Sequence, residues 1–213
     1  MVDEFLFKGR TLLSETDYDI IQKVLSGDKG SFAHLVDRHG EKAMTLAMRI
    51  LKNKQDAEEA LQDAFIRAYN ALPRFEWKAS FSTWFYRIVY NVCVSALERR
   101  PGEVFVSVDE ESSDGEKLRE VESGAPLPDA AYESAEAQKI VHEEIERLPD
   151  VYGATFALFV VQEMSYQEIV EVTGLPLGTI KARLFRARTM LKDALVRRLG
   201  EGAGVRKSKE IAA

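Results

Sequence analysis

Apolar residues recur along this chain at three- and four-residue intervals, the signature of helices with one buried face. Ile20, Ile21, Val24 and Leu25 mark the inner side of a first helix, which Asp17 or Asp19 could cap, and the Gly27-Asp28-Lys29-Gly30 run breaks it. Ser31 opens a second helix with Phe32, Leu35 and Val36 on one face, and a third segment carries Met44, Ala47, Met48 and Leu51. A fourth, over 56–72, turns Leu61, Phe65, Ala68 and Leu72 inward until Pro73 ends it. After a loop comes a long helix over about 82–99, with Phe85, Ile88, Val89 and Val92 as its inward stripe. Pro101-Gly102 stops it.

Residues 101–135 lose this periodicity. They hold Pro101, Pro126, Pro128, several Gly and Ser and many carboxylates, the composition of a flexible tether. Helical patterning resumes near Glu136 with Ile140, Val141, Ile145 and Leu148. Pro149 follows, then a very apolar helix over about 152–161 and a final pair of helices, with residues 200–213 reading as a frayed tail. Val104 to Val108 alternate weakly, and no strand pattern of any length competes. The fold expected is all-α: an N-terminal extension (1–16), a helical domain (17–100), an acidic linker (101–135), a second helical domain (136–199) and a tail.

Charge sharpens this division. The chain has 213 residues and a formal net charge of −6. Residues 1–100 carry 15 basic and 14 acidic side chains, residues 101–150 carry 4 and 15, and residues 151–213 carry 10 and 6. The overall negative charge argues against a protein that coats nucleic acid nonspecifically, and the acidity sits in one middle segment between two mildly basic parts. The single cysteine, Cys93, excludes an internal disulfide and lies among Ile88, Val89 and Val92, where a buried small hydrophobe is expected. No window approaches 18 consecutive apolar residues, and Phe5-Leu6-Phe7 is too short for a signal-peptide core. A cytoplasmic location is expected.

Residues 165–188, SYQEIVEVTGLPLGTIKARLFRAR, read as a helix-turn-helix. Ser165 and Glu168 have the spacing of a capping box, Gly174 can take a left-handed turn, and Pro176 sets the entry to a second helix. At about 100° per residue, Ile180, Leu184, Ala187 and Leu191 share one narrow buried arc. Thr179, Ala182, Arg183 and Arg186 fall on the opposite arc and are expected to face outward, with Lys181, Arg188 and Lys192 along a flank. Such a helix suits a major groove, where Arg reads guanine edges and flanking cations meet phosphates. A solvated amphipathic helix is the alternative, but it leaves the Gly-Pro-Gly punctuation unexplained.

A second feature is aromatic. Phe75, Trp77, Phe81, Trp84, Phe85, Tyr86 and Tyr90 are seven aromatics in sixteen positions, where the chain-wide 9 % gives one or two. The long helix also places Thr83, Arg87, Tyr90, Asn91 and Val94 on a face apart from the core stripe. Aromatics beside Arg74, Lys78 and Arg87 are what unstacked bases require: flat platforms plus partners for the phosphates. An aromatic-rich core is the other reading of this segment. On the preceding helix Asp56, Glu59 and Asp63 recur with Gln62 alongside, away from the core stripe, as solvated charge or as a docking face to which Ile66 and Tyr69 add apolar contact. His34, His39 and His142 are too scattered for a metal site, and there is no glycine-rich phosphate loop or nucleophile–base set. No catalytic activity, metal or cofactor is expected.

Four motifs stand in order: DAEEALQDAFIRAY at 56–69, FSTWFYRI at 81–88 followed by Asn91, Leu148-Pro149, and SYQEI at 165–169 leading to GTIKARLFRAR at 178–188. Together they resemble bacterial sigma factors of the extracytoplasmic-function group, which keep only the second and fourth sigma domains, here over roughly 17–100 and 136–199. The resemblance implies a non-enzymatic subunit that directs core RNA polymerase to promoter DNA. It implies that Asp56, Glu59, Gln62, Asp63, Ile66 and Tyr69 meet the clamp helices of the β′ subunit. Arg74, Trp77, Lys78, Ser80, Phe81, Thr83, Trp84, Arg87 and Asn91 would open and read the minus-ten element. Thr179, Lys181, Ala182, Arg183, Phe185, Arg186 and Arg188 would read the minus-thirty-five element. An anti-sigma partner is implied too. The chain departs from the family pattern at Ser95, where an acid is common, at Arg99-Arg100, a shortened basic run, at Ala182, where Ser is frequent, and at Gly153, where Arg is usual. A rival reading, a dimeric helix-turn-helix regulator acting without polymerase, needs a dimerisation element that is not evident.

Overall fold

The computed structural model describes residues 15–99 and 135–210. Eight α-helices make up these two stretches, and no strand occurs among the described residues. Four belong to the first domain: α1 (Asp17–Leu25), α2 (Phe32–Leu51), α3 (Lys54–Ala71) and α4 (Phe81–Glu98). Four belong to the second: α5 (Ala135–Glu146), α6 (Asp150–Val160), α7 (Tyr166–Thr173) and α8 (Leu177–Glu210). The acidic linker expected over 101–135 lies outside the described residues apart from its last position, as does most of the N-terminal extension.

The local chemistry of each helix start explains its boundary. Thr16, not Asp17 or Asp19, caps α1. Its hydroxyl accepts from the Asp19 amide while the Asp19 carboxylate reaches back to the Thr16 amide, so the acid serves the third position of a capping box. Asn53 caps α3 and Ser80 caps α4 through the Asp56 and Thr83 amides. Lys52, in the left-handed conformation at φ 54°, ends α2 and turns the chain into α3.

The second and third apolar segments of the sequence are one helix. A single stripe of Leu35, His39, Ala43, Leu46, Ala47 and Ile50 is buried along its whole length. Gly40 costs an exposed helix about 1 kcal/mol relative to Ala. That burial on both sides outweighs the cost, and the helix runs through. The tail differs likewise, since the backbone stays helical to Glu210.

In the first domain α2, α3 and α4 pack on one another around Phe81 and Phe85, both essentially fully buried and stacked with centroids 5.8 Å apart. Phe65 of α3 stacks on Phe85 at 4.5 Å. Cys93 is fully buried here, and burial pushes its thiol up to about 12, so it is inert packing. Asp17 anchors α1 to α2 through Arg38 and through His39 Nε2 at 3.0 Å. In the second domain α8 lies across α5, α6 and α7, with Ile180, Leu184, Ala187 and Leu191 all buried as their spacing requires. The two domains also touch: α6 packs on α2, and α7 on α4.

Candidate nucleic-acid and polymerase interfaces

The helix-turn-helix forms as its residues dictate. Ser165 accepts from the Glu168 amide, and Glu168 accepts from both the Ser165 amide and hydroxyl. These bonds from Ser165, with a further one from Thr83, hold the Glu168 carboxyl below its usual range against the opposing effect of burial. Gly174 sits at φ 74°, a conformation that a side chain would strain, and lets the chain turn into α8.

On α8, Lys181 and Phe185 are exposed, while Thr179, Ala182, Arg186 and Arg188 are half-buried. Two of the cations are engaged within the domain: Arg186 donates to the Tyr152 hydroxyl at 3.2 Å, and the Arg188 guanidinium lies 5.0 Å over the Phe159 ring. Arg183 corrects the sequence expectation. It leaves its own domain's core, as the helical projection requires, but is only 3 % exposed. Its charge lies close enough to Tyr90 of α4 to favour the phenolate, against the stronger upward push of burial on that phenol. A helical wheel sees the core a helix shares with its own domain and is blind to a neighbour far away in sequence.

The aromatic loop and helix divide between core and surface. Phe81, Phe85 and Tyr86 are core. The ring of Phe75 meets Trp84 at 4.8 Å and Trp77 at 4.6 Å. Trp77 holds a left-handed φ of 56°, uncommon for a bulky residue and costing about 1–2 kcal/mol, which turns its ring onto the surface at 38 % exposure. Arg74, Phe75, Lys78, Thr83, Trp84 and Arg87 line a cleft of about 350 Å³, large enough for a nucleobase-sized group. Ser80 caps the helix and bonds Thr83 and Ser82, and Asn91 is exposed further along.

Two residues here escaped the sequence reading. Tyr18 of α1, 54 % exposed, meets Trp77 at 5.0 Å and extends the aromatic row by one ring. It lies outside the dense 75–90 window, and only the tertiary fold brings it there. Glu171 of α7 closes one side of the cleft from the other domain. Thr83 also departs from the expected open face: it is 2 % exposed and donates to Glu168 at 3.1 Å.

The carboxylate face of α3 is where the spacing puts it. Asp56, Glu59 and Asp63 line a second cleft, about 330 Å³, with Val92 and Ser95 of α4 and the capping Arg99 opposite. Gln62 is exposed, Ile66 stands 60 % exposed and Tyr69 is half-buried. No group of three or more His, Cys, Asp or Glu side chains suited to a metal ion occurs among the described residues, and no described helix is long and apolar enough to cross a membrane.

Comparison with known proteins agrees with this arrangement. The Sigma-70 region 2 family matches residues 35–101 and the Sigma-70 region 4 family matches residues 138–191. The extracytoplasmic-function RNA polymerase sigma factor SigW of Bacillus subtilis is 32 % identical, over 82 % of this chain and 94 % of its own. The RNA polymerase sigma-H factor of Pseudomonas aeruginosa is 34 % identical, over 86 % and 96 %. Among solved structures, the sigma factor RpoE of Bartonella quintana, in complex with the anti-sigma factor NepR, shares the fold with a TM-score of 0.55 at 20 % identity, covering 77 % of this chain and 96 % of that one.

Proposed function

We propose, for a chain that belongs to the extracytoplasmic-function group of the sigma-70 family, a two-part promoter reader in which α8 anchors the upstream element and the aromatic cleft opens the downstream one. The chain is a sigma factor that directs promoter-specific transcription initiation and makes or breaks no bond itself. The observation that carries the division of labour is the cleft between Arg74, Trp84 and Arg87, where flat rings and cations converge on one opening. Stacking is worth about 1–3 kcal/mol per base, comparable with the cost of unstacking one, so such a cleft can trap an opened strand.

Three surfaces divide the work. Asp56, Glu59, Gln62, Asp63, Ile66 and Tyr69 take the β′ clamp helices of core RNA polymerase. Arg74, Trp77, Lys78, Ser80, Trp84, Arg87 and Asn91 take the minus-ten strand, with Tyr18 as a further platform, while the buried Phe81 and Thr83 support them from beneath. Thr179, Lys181, Ala182, Arg183, Phe185, Arg186 and Arg188 take the minus-thirty-five duplex. The chain works in the cytoplasm, where polymerase and promoter are. An anti-sigma factor is a further partner, as in the Bartonella quintana complex. A dimeric operator-binding regulator would leave the α3 face without employment.

The test separates anchor from docking. Arg183→Ala and Arg186→Ala should weaken binding of upstream-element DNA by the holoenzyme while core polymerase still co-purifies with the chain. Loss of polymerase association in these variants would contradict the assignment.

A further inference from the structure

Two large aromatic side chains stand in solvent beside the aromatic cleft without lining it. Tyr18 of α1 is 54 % exposed and Trp77 is 38 % exposed, with ring centroids 5.0 Å apart and planes tilted by 51°. Neither belongs to the wall that Arg74, Phe75, Trp84 and Arg87 form. The rings still run in one row leading outward from the cleft: Trp84 meets Phe75 at 4.8 Å, Phe75 meets Trp77 at 4.6 Å, and Trp77 meets Tyr18. Each of these steps is longer than the ~3.4 Å between neighbouring bases of one stacked strand. The outer pair therefore has room for a second base, separate from the one in the cleft.

Both rings are held in place from below. Trp77 takes φ 56°, a left-handed backbone that bulky residues rarely adopt, and an outlier of this kind points to function. Tyr18 sits in the first turn of α1, whose start is doubly secured. Thr16 caps it, and the carboxylate of the preceding Asp17 binds Arg38 and His39 Nε2, the latter at 3.0 Å. The His39 ring in turn lies 5.2 Å from Phe81, which meets Trp84 of the cleft wall at 5.7 Å. Ile20 and Ile21, fully buried, fix the inner side of the helix, so Tyr18 is a preorganised ring on a rigid element. Lys78, next to Trp77, pairs with Glu76 at 2.5 Å with both side chains largely in water, a contact that a phosphate can replace.

We propose that Tyr18 and Trp77 form a second base-stacking subsite, beside the cleft, that holds a further unpaired base of the opened promoter strand. The proposal rests on the cleft being the site of strand opening. Continuity of the ring row with the cleft selects a DNA strand over a protein as the occupant, and a flat ring accepts any base. A base still stacked in duplex offers no free face, so the subsite engages the strand only after it opens. It lengthens the unpaired stretch that the chain holds and stabilises the open complex without reading a base edge.

The experiment uses holoenzyme assembled from the full chain and core RNA polymerase. Its DNA is a promoter that the holoenzyme selects from a randomised library, pre-opened by mismatches over the minus-ten element, with one abasic site placed at each position of the unpaired strand in turn. With the wild-type chain, removing the base at the outer subsite should weaken binding at least about fivefold, the low end of a stacking contact. Tyr18→Leu keeps apolar bulk against Trp77 but offers no ring. It should lose the same fivefold on the intact strand and nothing further on the abasic one, the signature of a coupled pair. Tyr18→Phe keeps the ring and should match wild type, and Trp84→Ala should silence a different position. The subsite is overturned by an unchanged abasic profile in Tyr18→Leu, by Tyr18→Phe behaving as Tyr18→Leu, or by Tyr18→Leu and Trp84→Ala silencing the same position. Weaker binding of Tyr18→Leu to core polymerase without DNA would also overturn it, by making the pair a protein contact. A profile that Trp84→Ala changes and Tyr18→Leu does not sinks the subsite alone, whereas one that neither changes sinks the cleft reading with it.

Discussion

Thr83 of α4 donates a hydrogen bond of 3.1 Å to Glu168 of α7, tying the N-terminal turn of the aromatic helix to the capping box of the helix-turn-helix. One carboxylate thus serves two functions, capping its own helix through Ser165 and holding a residue of the other domain.

Trp84→Ala should impair strand opening more than closed-complex binding. Losing one base platform worth ~1–3 kcal/mol lowers the opened fraction by about 5- to 150-fold. Fluorescence of 2-aminopurine placed in the minus-ten element reads the opening step, and a gel shift at low temperature reads the closed complex. Equal loss in both would remove Trp84 from the opening step.

Ile66→Arg should raise the Kd for core polymerase at least about tenfold, or ~1.4 kcal/mol. The residue is 60 % exposed in the free chain and carries no fold, so the helical content should not change. Fluorescence anisotropy of labelled protein titrated with core enzyme measures it. An unaltered Kd would return this face to solvated charge.

Ser165→Ala removes the cap of α7 and should destabilise the second domain by ~1 kcal/mol, within the ~0.5–2 range of such losses. Urea unfolding provides the number. A second effect is specific to this fold: Glu168 loses the Ser165 hydroxyl but keeps the backbone amide of residue 165, so its bond to Thr83 across the seam between the domains rests on one contact fewer.

Acid should release α1. His39 and Arg38 together hold Asp17 below its usual carboxylate range against the opposing effect of burial. Its folded pKa is depressed, so the stability it contributes is fully present above the unfolded value near 3.9 and is lost as pH falls through the folded value. Protection factors against hydrogen exchange at the Ile20 and Ile21 amides should fall below about pH 4, and Asp17→Asn should show lower protection at neutral pH with little further acid dependence. A wild-type chain with unchanged protection at pH 3 would contradict this.

What could be read without coordinates was what local periodicity encodes. The Ser165–Glu168 box, the left-handed Gly174 and the buried arc from Ile180 to Leu191 are properties of neighbouring residues, and they stand as their spacing requires. The α3 carboxylate face is equally local. Three features were not legible because they depend on distant partners. Gly40 sits inside one long helix because burial on both sides of it overrides propensity. Tyr18 joins the aromatic row only when α1 folds back on the 75–77 loop. Arg183 points away from its own core yet is buried, with its charge acting on Tyr90 of the other domain. Gly153 was visible as a departure, but its reason, the Arg49 guanidinium, comes from a helix a hundred residues earlier.

The most direct test of the two-part reader is selection of transcripts from a promoter library randomised over both elements, using core RNA polymerase with and without the full chain. The account predicts transcripts that depend on the chain and carry two conserved blocks, with Arg186→Ala relaxing the upstream block alone and Trp84→Ala the downstream block alone. No chain-dependent transcript, or a palindromic site bound by the chain without polymerase, would contradict it.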